Sequence, residues 1–402
     1  MSNQASTLAP ADEAPLRRID DIEWLRAVAV VGVVVHHAQD NLFSWHPRWL
    51  EALLSRLDPW SGVDIFFAIS GFVIARSLVP RLEACVGQPR ATRRRLRAFW
   101  IARAFRLLPS AWLWLGLIML AAWQFNASGA FGSVHTNLMA TLAAVGQVAN
   151  FRLADAFGSY PYGASFAYWS LSLEEQFYLV LPLLIVLLRR HLWLLLVALI
   201  AVQAVFPRTL LTMSLRTDAL AWGVLLALAS QHVKFARWEP HWLHHRRWLQ
   251  RIVGAGLLIA VAAVSAREAW AIGHRISAIA LLAVILVWLA AYNRHYLSGD
   301  DGTIKRCMLW VGHRSYAIYL IHVPAFFMVR ELWLRNQGAQ AQGGIAQTVV
   351  FTAAATLFIA LFAEANYRLV ERPLRRVGRA LAQRANKLTD VVTASAPCIS
   401  EA

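Results

Sequence analysis

Two basic side chains stand eleven residues apart in the apolar stretch IEWLRAVAVVGVVVHHA: Arg26 and His37. At about 100° per residue, eleven helical steps fall about 20° short of a whole number of turns. Both side chains therefore leave one stripe of a helix, roughly 16 Å apart along its axis. His36 points about 80° aside. A cation at one depth and a neutral imidazole at another could line a pathway, the first for an anion and the second as a general base. Charge inside a membrane is expensive, which favours that reading. The local alternative is that Arg26 snorkels to the interface and His37 caps the helix.

Other apolar stretches repeat the pattern. GVDIFFAISGFVIARSL carries Asp64 near its outer end, Ser70 mid-way and Arg76 near its inner end. Antiparallel neighbours bring Asp64 to the depth of His37, where a carboxylate can set an imidazole's tautomer and raise its basicity; an N-cap role is the alternative. Gly62 and Gly71 offer small faces for close helix approach. FWIARAFRLLP sets Arg103 and Arg106 on one helical face. Guanidinium forks suit phosphates, although basic residues at an inner boundary also satisfy the positive-inside rule. YWSLSLEEQFYLVLPLL adds the adjacent carboxylates Glu174 and Glu175 after Ser170 and Ser172. WVGHRSYAIYLIHVPAFF sets His322 near mid-membrane beside Pro324, with Tyr316 and Tyr319 on one face. The last apolar stretch holds Glu364 and Asn366 and runs into RLVERPLRR, with Glu371 at the inner boundary. Together these groups fit chemistry conducted across a membrane. Proton-coupled transport fits them equally well.

The elements that must position them are membrane helices. Of 402 residues, 58% are hydrophobic and only 15% are charged, against about 25% charged in ordinary soluble domains. Mean hydropathy is +0.47. Disorder, collagen and coiled coil are excluded by this composition. The net charge of +16 sits in short loops between apolar runs, which points to membrane orientation and not to nucleic acid. Cys85, Cys307 and Cys398 are too scattered for a zinc site or a disulfide framework, and no metal is expected. The first twenty residues lack the apolar core of a cleavable signal, so the first span is expected to serve as the insertion signal.

About ten spans are read from the apolar stretches, near 22–42, 61–79, 106–125, 171–188, 192–206, 212–231, 250–268, 275–292, 308–332 and 346–368. With the N-terminus inside, the inner loops and tail carry about 27 Lys and Arg and the outer segments about eight. The expected fold class is thus an all-α polytopic membrane protein with both termini cytoplasmic. Its parts are a tail over 1–18, a membrane domain over 19–375 and a disordered basic tail over 376–402. The stretch 134–151 reads as an outer interfacial helix inside the long loop 126–170, whose Tyr160, Tyr162 and Trp169 suit sugar stacking or an aromatic belt.

Six of these stretches, in order from Ile19 to Arg375, resemble the acyltransferase-3 family of integral membrane acyltransferases. The family's arginine-x10-histidine motif falls on Arg26 and His37, with His36 beside it. Its GVD-x-FF motif falls on Gly62 to Phe67, its arginine-x-x-arginine motif on Arg103 and Arg106, its SLSxEEQFY stretch on Ser170 to Tyr178, and its ERP on Glu371 to Pro373. The resemblance implies a multi-pass bacterial inner-membrane enzyme. It would move an acyl group, usually acetyl, from cytosolic acyl-CoA to a hydroxyl of a carbohydrate. Typical acceptors are lipopolysaccharide, exopolysaccharide, capsule, peptidoglycan or a glycolipid; some relatives acylate macrolides. Acetyl-CoA is implied as co-substrate with no bound cofactor. The form expected is the stand-alone one without an SGNH domain, since about 30 residues follow the last span. On this reading Arg103, Arg106 and Arg26 bind the donor, and His37 is the base with Asp64 or Glu174 orienting it. His36, Ser70, Glu175, Tyr316, His322 and Glu371 support the site. An acyl-histidine intermediate ranks second to direct transfer.

Overall fold

The computed structural model describes residues 18–43, 48–266, 269, 274–337 and 344–387, all of them helix, turn or loop. In chain order the α-helices are α1 (Asp20–Asn41), α2 (Arg48–Arg56), α3 (Gly62–Glu83), α4 (Pro89–Gln124), α5 (Val134–Val145), α6 (Ala149–Ala156), α7 (Tyr168–Leu188), α8 (Leu192–Val205), α9 (Leu210–Ser214), α10 (Asp218–Ser230), α11 (Arg247–Ser265), α12 (Arg275–Ala291), α13 (Thr303–His313), α14 (Ser315–Gln337), α15 (Ile345–Asn366) and α16 (Arg372–Lys387). Local chemistry explains several starts. Three acidic residues, Asp20, Asp21 and Glu23, sit in the first turn of α1, where the helix dipole favours them. Pro occupies the first turn of α4, where its missing N–H costs nothing. Ser133 caps α5 by accepting the Thr136 N–H at 3.0 Å.

Among the described residues seven helical stretches are long and apolar enough to cross a membrane: Pro59–Glu83, Pro89–Gln124, Tyr168–Val205, Leu210–Ser230, Arg247–Ser265, Ser315–Gln337 and Ile345–Asn386. The three further expected spans have identifiable fates. The segments near 171–188 and 192–206 run together through a short 3-10 turn at Arg189–His191. α12 is apolar but, at 17 residues, shorter than any of the seven. α1 has the length, but its acidic first turn and the polar run from His36 to Asn41 dilute its hydropathy.

The interior is built by α1, α3, α10, α12 and α14. Leu25, Val30, Ala68, Leu220, Ala221, Ala280 and Ile321 are all fully buried there. α7, α8, α11 and α15 turn large apolar side chains outward, Leu187, Trp193, Ile252 and Leu361 among them. That is the surface expected where acyl chains replace water. α3 and α10 meet backbone to backbone. A Cβ on Gly71 would lie 2.2 Å from the Leu220 carbonyl oxygen, and one on Gly223 2.2 Å from that of Ala68. Gly71→Val is therefore expected to force the pair apart and lower the yield of folded protein, read by thermal melting in detergent. Gly116→Val, with nothing within 4 Å of its Cβ position, should leave the melt unchanged.

Buried carboxylates fasten loops to this core. Asp21 accepts the backbone N–H groups of Tyr296 and Ser298 at 3.1 and 2.8 Å. Glu331 accepts those of Ala127 and Ser128 at 2.8 and 2.6 Å. The expected interfacial stretch 134–151 is divided between α5 and α6.

The basic tail is a correction. Residues 376–387, expected to be disordered, belong to α16, which follows α15 through a turn of π-helix at Tyr367–Glu371. It lies against α4 with Gly378 on Phe105, where a Cβ would come within 2.4 Å of the Phe105 Cβ. The expectations for residues 1–17 and 388–402 fall outside the described residues.

Candidate active site

A cavity opens among α1, α3, α4, α7 and α14. One end is cationic, lined by Arg26, Arg103 and Arg106. Arg26 is tied to Glu23 at 2.8 Å. Arg103 lies over the rings of Phe99 and Tyr178, 5.6 and 5.1 Å from their centroids. The middle carries a polar wall in which Glu174 accepts from the hydroxyls of Ser70 and Tyr178. Tyr316, on the facing wall, donates to the Leu107 carbonyl at 2.7 Å. The far end is closed by Phe66, Ser170 and Tyr319. The hydroxyls of Ser170 and Tyr319 share a 2.6 Å hydrogen bond.

His37 stands beyond that end. The Tyr319 ring on the cavity wall packs 5.6 Å from His322, and His37 Nδ1 lies 2.7 Å from His322 Nε2. His322 Nδ1 is 2.7 Å from the Tyr319 carbonyl oxygen. A carbonyl can only accept, so Nδ1 of His322 carries a proton and Nε2 of the neutral ring is an acceptor. His37 Nδ1–H donates to it. His37 is thereby held in the tautomer whose Nε2 is an unprotonated base, with Phe166 edge-on at 5.0 Å. Among the described residues no carboxylate takes part. The neighbouring His36 is a separate pair, its Nδ1 lying 2.7 Å from Asp58 Oδ1.

Asp64 departs from its expected role. Both its oxygens are bound by Arg216, Nε to Oδ1 at 3.0 Å and Nη2 to Oδ2 at 3.2 Å. The guanidinium lies near the rings of Trp60 and Trp169, 5.0 and 4.7 Å from their centroids. Asp64 is fully buried and committed to this pair, so it does not orient His37. Glu174 does not do so either, being held by Ser70 and Tyr178. Glu175 faces a smaller cavity with Trp112, Gln147 and Tyr316. Glu371 is buried and accepts from Asn366 Nδ2 at 3.0 Å.

Residues 19–364 match the family model described as an acyltransferase domain. The chain belongs to the acyltransferase-3 family. The peptidoglycan O-acetyltransferase OatA of Listeria monocytogenes is 26% identical over 386 residues, which cover 90% of this chain and 56% of the relative. The O-acetyltransferase OatA of Staphylococcus aureus is 23% identical over 391 residues, covering 90% and 58%. The chain thus spans somewhat over half the length of these curated relatives. No solved structure matches it.

Within this acyltransferase-3 chain the structure gathers Arg26, Ser70, Arg103, Arg106, Glu174 and Tyr316 around one cavity and joins His37 to His322 at its end. Asp58, Arg216 and Tyr178 are site neighbours that the sequence reading did not single out. Tyr178 sits one helical turn after Glu174, a spacing that brings side chains together. Asp58 and Arg216 lie in connections, where periodicity gives no direction. Glu239, His241 and His244, between α10 and α11, bring potential ligand atoms within 4.8 Å of one another. Glu239 is already bound by Arg294 at 2.8 Å and by His244 at 2.9 Å. Burial raises its carboxyl, but those hydrogen bonds prevail and hold it below the usual carboxylate range. The cluster is an ion-pair network as it stands.

Proposed function

We propose that the chain is a multi-pass O-acetyltransferase of the bacterial inner membrane, with both termini in the cytoplasm. It carries an acetyl group from cytosolic acetyl-CoA to a hydroxyl of a cell-surface or exported polysaccharide, with peptidoglycan first among the acceptors to test. Family membership and the printed activities of the relatives support this reading. The observation that carries it is the arginine-lined cavity ending one aromatic ring from a tautomer-fixed histidine.

Acetyl-CoA enters at the cationic end, its phosphates against Arg103 and Arg106. The thioester arm passes Arg26 and the wall of Ser70, Glu174 and Tyr178. At the outer end His37 Nε2 takes the proton of the acceptor hydroxyl as that oxygen adds to the thioester carbonyl. Collapse of the tetrahedral intermediate breaks the C–S bond. His37 returns the proton to the departing thiolate, leaving an acetyl ester and free CoA. His322 holds the tautomer throughout.

The test is mass spectrometry of peptidoglycan and other surface glycans from cells with and without the protein. An acetyl-sized increment confined to the expressing cells is expected. Unchanged glycans together with acetyl-CoA consumption on a macrolide would reassign the acceptor. No consumption of acetyl-CoA by well-expressed protein would sink the reading in favour of transport.

A further inference from the structure

A second cavity adjoins the first and shares Arg26 and Arg106 with it. Its remaining wall adds Arg76 from the last turns of α3 and Arg375 from the first turn of α16. The charge is unbalanced. Glu23 is taken by Arg26 at 2.8 Å, which leaves one carboxylate of the described lining, Glu371, itself accepting from Asn366 at 3.0 Å, to face Arg18, Arg76, Arg106 and Arg375. Among the described residues no hydrogen bond or ion pair engages the guanidinium of Arg76, Arg106 or Arg375. Each of the three is half-buried. Like charges gathered in a partly desolvated space repel strongly unless an anion joins them. Guanidinium forks from different helices suit an anion with several phosphate oxygens. The fold goes to some length to bring Arg375 there, since the π-turn at Tyr367–Glu371 precedes α16, and such turns are frequent at functional sites. Gly378, three residues after Arg375, lets α16 close onto Phe105, next to Arg106.

We propose that this vestibule is the polyphosphate subsite of the donor, with Arg76 and Arg375 gripping nucleotide phosphates so that the thioester arm is aimed into the first cavity. α16 then belongs to the binding machinery. The assignment rests on the acetyl-CoA reading above, and it adds that the donor is selected by its nucleotide end.

The test is binding of labelled CoA to the full-length protein in nanodiscs, alongside steady-state kinetics with acetyl-CoA and acetyl-pantetheine. Wild-type binding should fall with salt and be displaced by adenosine 3′,5′-bisphosphate but not by pantetheine. Arg76→Gln and Arg375→Gln should each weaken CoA binding at least tenfold and raise KM for acetyl-CoA in parallel, with kcat little changed. Activity on acetyl-pantetheine should stay the same. Arg375→Lys should recover part of the binding, which separates a charge effect from misfolding. Unchanged CoA affinity in both Gln variants would overturn the subsite while leaving the acetyl-CoA reading intact. CoA binding displaced by anionic lipid but not by the bisphosphate would give the vestibule to a headgroup. Failure of wild-type protein to bind CoA at all would overturn the donor reading, and the subsite with it.

Discussion

Alanine in place of His37 is expected to cut acetyl transfer by about 10²–10⁴-fold, the range for a general base, with protein yield and melting unchanged. The measurement is acetyl-CoA turnover by purified protein with its acceptor. Lower protein level in step with activity would sink the catalytic assignment. His322→Phe keeps the ring volume but deletes the acceptor for His37 Nδ1–H. The imidazole can then adopt the unproductive tautomer, an error that reaches about 10⁴ in the serine-protease triad. A loss between tenfold and about that bound is expected, in kcat and not in the KM for donor. Because His322 acts only through His37, the double variant should be no worse than His37→Ala alone. Additive losses would show that His322 has its own role. Activity lost in His36→Ala but kept in His37→Ala would move the base to the His36–Asp58 pair.

That pair of histidines also shows how far a single sequence reaches. Residue cost and helical arithmetic were enough to single out Arg26 and His37, because a charge or an imidazole in lipid needs a reason and 3.6 residues per turn fixes which face each shares. His322 was equally conspicuous at mid-membrane. Its pairing with a residue 285 positions away depends on how α1 and α14 pack, and periodicity does not encode that. Asp64 failed for a related reason. Its depth was readable, but its azimuth was not, and its partner Arg216 precedes α10 in a connection where it counted as ordinary loop charge. The small faces at Gly62 and Gly71 were legible, and both lie against neighbouring backbone, that of Ala29 and Leu220. α16 was hidden by composition. Its arginines suggest a solvated tail, whereas Leu374, Gly378 and Ala382 at a spacing of four make one inward face. The ten expected spans and the seven long apolar stretches part where length and hydropathy compete with function: α1 holds Arg26 and His37 and is accordingly less apolar than its neighbours.

The Asp64–Arg216 pair supplies the sharpest separation of fold from chemistry. Asp64→Ala leaves a guanidinium buried between Trp60 and Trp169 with no counter-charge. Breaking a buried pair from one side costs about 3–5 kcal/mol, so the variant is expected to melt early and accumulate poorly. Asp64→Leu combined with Arg216→Met removes both charges, and such replacements are often neutral or stabilising; it should restore most of the melting temperature. Thermal melts in detergent or nanodiscs decide the matter, with acetyl transfer measured on the same samples. A carboxylate that only fastens the start of α3 to the connection before α10 predicts that activity returns with stability in the double variant. Asp64→Ala protein that melts like wild type yet transfers no acetyl group would instead return Asp64 to the chemistry, through a route to His37 other than the one its Arg216 contacts allow.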